Sequence, residues 1–257
     1  MRILKEKEWR PLIGKYCFDN LLCSLEKYEF EPSSMFLFDI DFTLVHPIND
    51  SFKLFTLSKY QDIFYKILGS LSIYEKSMFL NYLSYSLECT LIDSKVVSLI
   101  EAIQENGGNL LCISSMVYGD FLNLESVHKK RVNILKNMGI EFNNGFNIPN
   151  EFDFRFGSDK AVYFDGIIFT NSVENEGKAL ALNSFLRKLG SINKIVYIDD
   201  NPDNLEEMER ICEVNCEKQL VLDAYNPKNL TNEIKAEMFA KIVNSELEKF
   251  RGLLGAN

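Results

Sequence analysis

Four short apolar runs, each of strand length, constrain the fold more than any other feature. They are 35–40 (MFLFDI), Asn109–Ser114 (NLLCIS), Lys194–Asp199 (KIVYID) and 219–224 (QLVLDA). A run that is apolar on both faces suits a central parallel strand covered by helices on either side. Helix-forming stretches separate the runs. Asp93 is placed to cap a helix through Ile103 that Gly107 and Gly108 end, and Gly139 stops a second over 127–138. Gly177–Leu189, 205–216 and a stretch from Thr231 toward Phe250 read as three more. Strands alternating with helices at this spacing predict an α/β chain with a doubly wound parallel sheet.

Three segments stand outside that alternation. Residues 1–30 read as helical, with Leu21, Leu22, Leu25 and Tyr28 at helical spacing. Residues 47–92 are rich in Phe, Tyr and Leu and read as one or two helices, with Tyr60, Phe64 and Leu68 four apart as a packing stripe. In 162–169 (VYFDGIIF), Asp165-Gly166 reads as a two-residue hairpin turn between apolar arms. The expected organisation is therefore a core of 1–46 and 93–257, with 47–92 inserted as a small, mainly helical cap.

Composition narrows the function. The chain has 257 residues, 46% hydrophobic and 25% charged, an ordinary globular balance. Lys and Arg number 28 against 37 Asp and Glu, a net charge of -9. Such an acidic surface repels phosphate backbones and anionic lipid, arguing against general nucleic-acid or membrane-surface binding. The longest uncharged run, 106–119, is too short to span a bilayer. The N-terminal stretch MRILKEKEWRPLIG lacks the apolar segment of a Sec-type signal, so the expected location is the cytoplasm. The six cysteines fit structural thiols, with Cys212 and Cys216 sharing one helical face.

The residues with chemistry to offer fall at the ends of the predicted strands. The first strand closes in Asp39-Ile40-Asp41-Phe42-Thr43, two carboxylates at the sheet edge where open α/β sheets bind ligands. One acid can attack an electrophile while the other handles a proton, and the pair attracts a divalent cation. The second strand ends in Ser114-Ser115, either helix-capping serines or donors to a phosphate oxygen. Lys178 opens a helix, where the dipole disfavours a cation unless it neutralises a bound anion. The third strand ends in Asp199-Asp200-Asn201-Pro202, turn chemistry or ligands for a hard cation. His46 reads as a loop histidine, and His128, within HKKR, as part of a solvated helix face.

Taken in order, D-x-D-x-T, a strand-end serine, a lysine and a late acidic pair resemble the four motifs of the haloacid dehalogenase-like superfamily, over about residues 35–225. DIDFTL followed by His46-Pro47, the FDGIIFT segment and YIDDNPDNL are similar to a family of unknown function within it, found largely in host-associated bacteria. The resemblance implies that Asp39 is a nucleophile forming an aspartyl-phosphate and Asp41 the general acid and base. It implies phosphate binding by Thr43, Ser114, Ser115 and Lys178. It further implies Mg²⁺ held by Asp39, the Asp41 main-chain carbonyl, Asp199 and Asp200. Asn204 stands where a second acid is common, and Ser115-Met116 replaces an Ala-Arg-type continuation. The function implied is a phosphatase, with a small phosphorylated metabolite as substrate. The alternatives are a phosphoprotein phosphatase and a non-catalytic interaction protein on the same fold.

Overall fold

The computed structural model describes residues 12–13, 18, 21–22, 30–54, 58–120, 126–142, 146–171, 177–222 and 232–255. The strands are β1 (Leu12–Ile13), β2 (Ser34–Phe38), β3 (Val45–Pro47), β4 (Cys89–Leu91), β5 (Asn109–Ser114), β6 (Glu151–Phe156), β7 (Asp159–Phe164), β8 (Ile167–Phe169), β9 (Lys194–Asp199) and β10 (Asn215–Leu222). Eight of them form one sheet in the order β1-β10-β9-β2-β5-β8-β7-β6. Pairing is parallel from β1 to β8 and antiparallel in β8-β7-β6. The fold is mixed α/β with a mostly parallel central sheet.

The apolar runs form the middle of this sheet because both their faces are covered. All five residues of β2 are buried. Phe36 and Phe38 pack with Leu99 and Ile103 of the helix Lys95–Glu105 and with Val132 and Leu135 of the helix Val127–Asn137. Met35 and Leu37 face the other way, against Leu182 and Phe185 of the helix Gly177–Leu189 and Leu205 and Met208 of the helix Pro202–Ile211. Alternate residues of one strand thus enter two separate cores, as the two-residue repeat of a strand requires. Among the described residues, no helix is long and apolar enough to cross a membrane.

The turn at Asp165-Gly166 forms as its sequence predicts. Both residues have positive φ, 51° and 85°, and join antiparallel β7 and β8. At position 166 even an alanine would clash, since its Cβ would stand 2.3 Å from the Phe142 Cβ.

Between β3 and β4, which pair antiparallel, lie the helices Asp50–Lys53, Ser58–Ile67 and Ile73–Ser86. Tyr60, Phe64 and Leu68 are buried there, so the aromatic stripe is packing. Their cluster is completed by the C-terminal helix Asn232–Gly255, through Phe239, Val243, Leu247 and Phe250. Tyr60 meets Phe239 edge-on at 5.4 Å, and Phe79 meets Phe250 at 5.4 Å.

Several expectations are corrected. The predicted helix 205–216 ends at Ile211, and β10 begins at Asn215, earlier than the run at 219 suggested. Cys212 therefore caps the helix while Cys216 lies in a strand, and they share no helical face. Leu12–Ile13, inside the stretch read as helical, pair with Val221–Leu222 as a sheet-edge strand, and most of 1–30 lies outside the described residues. Strand β6 adds to the expected strands, and its Phe152, Phe154 and Phe156 alternate with polar residues.

His128 is not solvated but buried, 5% exposed, edge-on to Phe164 and Phe169. The Gly119 N–H donates to its Nδ1 at 2.9 Å, so the native ring is neutral. Burial lowers its pKa, against the opposing pull of Glu151 at 3.8 Å. A base whose pKa falls on folding binds fewer protons folded than unfolded, so its contribution to stability is full above pH 6.5 and is lost as pH falls through the lowered native value. Urea denaturation from about pH 7.5 down to about pH 5 is expected to show this loss, with a flatter limb in His128→Gln. An unchanged limb in the variant would assign the acid sensitivity elsewhere.

Candidate active site

Register brings the strand ends together. Phe38 pairs with Cys112 on one side and Ile198 on the other. Asp39, one residue further, is thus level with Asp199 on β9, and Ser114 ends the strand on the opposite flank. The Asp39 N–H donates to the Ile198 carbonyl at 2.9 Å, which ties this position to β9. The chain then turns tightly: the amides of Leu44 and Val45 both donate to the Ile40 carbonyl, at 2.9 and 3.1 Å. Phe42 takes φ 63° within this turn, a conformation uncommon for an aromatic residue and found at constrained sites.

Lys178 lies buried between two carboxylates. Its Nζ donates to Asp39 Oδ1 and lies 3.3 Å from Asp199 Oδ2. Burial acts to lower the lysine's pKa, but Asp199 and Asp39 outweigh it and carry the ammonium above its usual value. Burial pushes the Asp39 carboxyl up to about 7, against the downward pull of Lys178. Asp199 is fully enclosed. Tyr197 donates to its Oδ2, the Asn201 N–H to its Oδ1 at 2.8 Å, and Asn204 Nδ2 lies 3.0 and 3.2 Å from its two oxygens.

Thr43 joins the first and last strand ends. Its hydroxyl accepts from the Asp200 N–H at 3.0 Å and lies 3.4 Å from both Asp39 Oδ2 and Asp200 Oδ1. Ser114 is buried and its Oγ accepts from the Met116 N–H at 3.2 Å, which leaves its own O–H as a donor. Ser115, just past the end of β5, is exposed. Asp39, Asp199 and Asp200 each offer an oxygen, all within 4.8 Å of one another. Burial raises the Asp200 carboxyl well above its usual range, and the charges of Asp199 and Asp39 raise it further.

Arg131 joins these residues. Arg131, from the segment read as a solvated face, is 1% exposed, and its Nη2 donates to Asp41 Oδ1 at 3.0 Å and to the Ser84 carbonyl at 2.9 Å. The signal was present: Arg131 falls four residues after Val127 and four before Leu135, on the buried helix face. The guanidinium holds Asp41 at the mouth of the site, where its side chain is 38% exposed. It also ties the Ile73–Ser86 helix to the sheet edge.

The family described as "Protein of unknown function (DUF2608)" matches residues 23–242. The chain belongs to this family. The span matched to DUF2608 contains both aspartates of the first strand end, Ser114, Arg131, Lys178, the Asp199-Asp200 pair and the helices between β3 and β4. No curated protein matches the chain.

Proposed function

We propose that this protein is a cytoplasmic, magnesium-dependent phosphomonoester hydrolase on a doubly wound, haloacid dehalogenase-like fold, with 47–92 as a small cap. One observation carries the reading: Asp39, paired with buried Lys178, stands at the carboxyl end of β2 with Asp41 two residues beyond it. The sheet order β10-β9-β2-β5-β8, which places later strands on both flanks of β2, is in keeping with that fold. The four described cysteines are free thiols, in keeping with a reducing compartment.

In this mechanism an Asp39 carboxylate oxygen attacks phosphorus, and the bond to the ester oxygen breaks as Asp41 gives that oxygen a proton. Asp41, now a carboxylate, takes a proton from the water that attacks the aspartyl-phosphate and releases inorganic phosphate. Lys178 and the Ser114 hydroxyl hold the equatorial phosphoryl oxygens. Arg131 keeps Asp41 aimed into the site between turnovers.

The residues present fit a hard divalent cation, since, among the described residues, Asp39, Asp199 and Asp200 cluster and the one lysine beside them pairs with only Asp39 and Asp199. Asp39, Asp200 and the Asp41 main-chain carbonyl would hold it, while Asp199, whose oxygens already accept several hydrogen bonds, orients Lys178. The cation would offset the repulsion between a phosphate and these acids. A small phosphorylated metabolite is the substrate class we favour.

The test is release of phosphate from an aryl phosphate by the purified chain. Activity should require Mg²⁺, disappear with chelator and return when the metal is restored. A folded protein without turnover on a panel of phosphomonoesters and phosphopeptides would defeat the reading and favour a binding role.

A further inference from the structure

A pocket of about 130 Å³ opens beside Asp41, between the turn after β2 and the helices that follow β3. Its wall is largely apolar, with Phe52, Phe64, Leu80 and Leu83, and it also includes Asp41, Ser84 and Arg131. Arg131 commits Nη2 to Asp41 and to the Ser84 carbonyl. Among the described residues its Nη1 meets only Cys89 Sγ, at 3.8 Å, and its buried Nε has no hydrogen-bond partner, so the polarity it offers is a small part of a mainly apolar wall. A ligand hydroxyl pushed among those leucines and phenylalanines would lose its water without replacement. An apolar group loses nothing and gains burial.

Size and position narrow the occupant. A cavity of roughly 150 Å³ lined by Leu, Ile and Phe accommodates a benzene ring, so this pocket suits a single ring or a branched chain of about six carbons. It adjoins Asp41, the residue that meets the leaving oxygen, and not the Lys178 side that would hold the phosphoryl group. We infer that the pocket receives the leaving group, and that the preferred substrates are phosphate monoesters of compact apolar alcohols, aryl or branched alkyl, over sugar or nucleoside phosphates. The inference rests on the phosphatase reading for the placement of the phosphate.

Binding of non-hydrolysable phosphonates to the full chain with Mg²⁺, followed by titration calorimetry, tests it without depending on turnover. Phenylphosphonate and methylphosphonate share one head group and differ only in what the pocket would hold. Phenylphosphonate is expected to bind at least about 10-fold tighter. Leu80→Trp, which fills the pocket from a partly exposed wall position, should bring the two within about 3-fold while leaving methylphosphonate unchanged. Equal binding of the two by the wild-type chain overturns the inference whether or not the variant folds, and so does binding of neither. A phenyl preference that survives in folded Leu80→Trp overturns it as well. Hydrolysis of many esters without a phenyl preference would sink this inference and leave the phosphatase reading standing. A phenyl preference without hydrolysis of any ester would do the reverse, keeping the apolar pocket and removing the catalytic role.

Discussion

Asp39→Asn is expected to abolish phosphate release, by about 10⁴-fold or more, in a protein that remains folded. Asparagine has nearly the shape of aspartate, but its amide oxygen does not form a stable acyl-phosphate. The strand-end geometry is set by the backbone, through the Asp39 N–H on the Ile198 carbonyl, and survives the change. Lys178 keeps its second partner, Asp199. Burial already opposes the charge on Asp39, so replacing it by a neutral group of equal size should alter stability little. Thermal unfolding and phosphate release measured on one preparation separate loss of chemistry from loss of fold. Residual turnover near wild type would show that another group attacks phosphorus.

Lys178→Met should have the largest effect on stability. It removes the ammonium that pairs with both Asp39 and Asp199 and leaves these two buried acids without that charge. Breaking a buried pair from one side costs about 3–5 kcal/mol, because the remaining charge stays buried. In a domain of this size that corresponds to a melting temperature lower by roughly 10 °C. Methionine fills most of the lysine's volume, so the loss reports charge more than packing. A cation at the carboxylates stabilises the folded state only, and the variant has more repulsion to relieve. Mg²⁺ should therefore raise its melting temperature by more than it raises the wild type's. Equal stability of variant and wild type without metal would mean that the acids are already neutral.

Arg131, at the site, and His128, in the core beside Phe164 and Phe169, show why buried polar residues are hard to read from the sequence. Both lie in a hydrophilic stretch, VHKKRVN, whose composition suggests a solvated helix. Yet His128 falls four residues before Val132, and Arg131 four before Leu135, so each shares a face with an apolar neighbour. Polarity averaged over a segment misses a charge that one particular face buries. The opposite case is β2, where all five residues enter a core and the run itself is the signal.

What could be read from the chain alone is what depends on neighbours along it. Buried parallel strands must be continuously apolar, a two-residue turn needs residues tolerant of positive φ, and Asp39, Asp41, Ser114, Lys178 and Asp199-Asp200 stand beside such elements. What could not be read depends on pairs distant in sequence. Asp41 meets Arg131 across 90 positions, Tyr82 donates to Glu246 across 164, and the apolar pocket exists because Phe52, Phe64 and Leu83 are carried to the turn after β2. Local periodicity states which face of a helix is buried, but the identity of the group it meets follows from how the helices pack, and no short stretch of sequence encodes that.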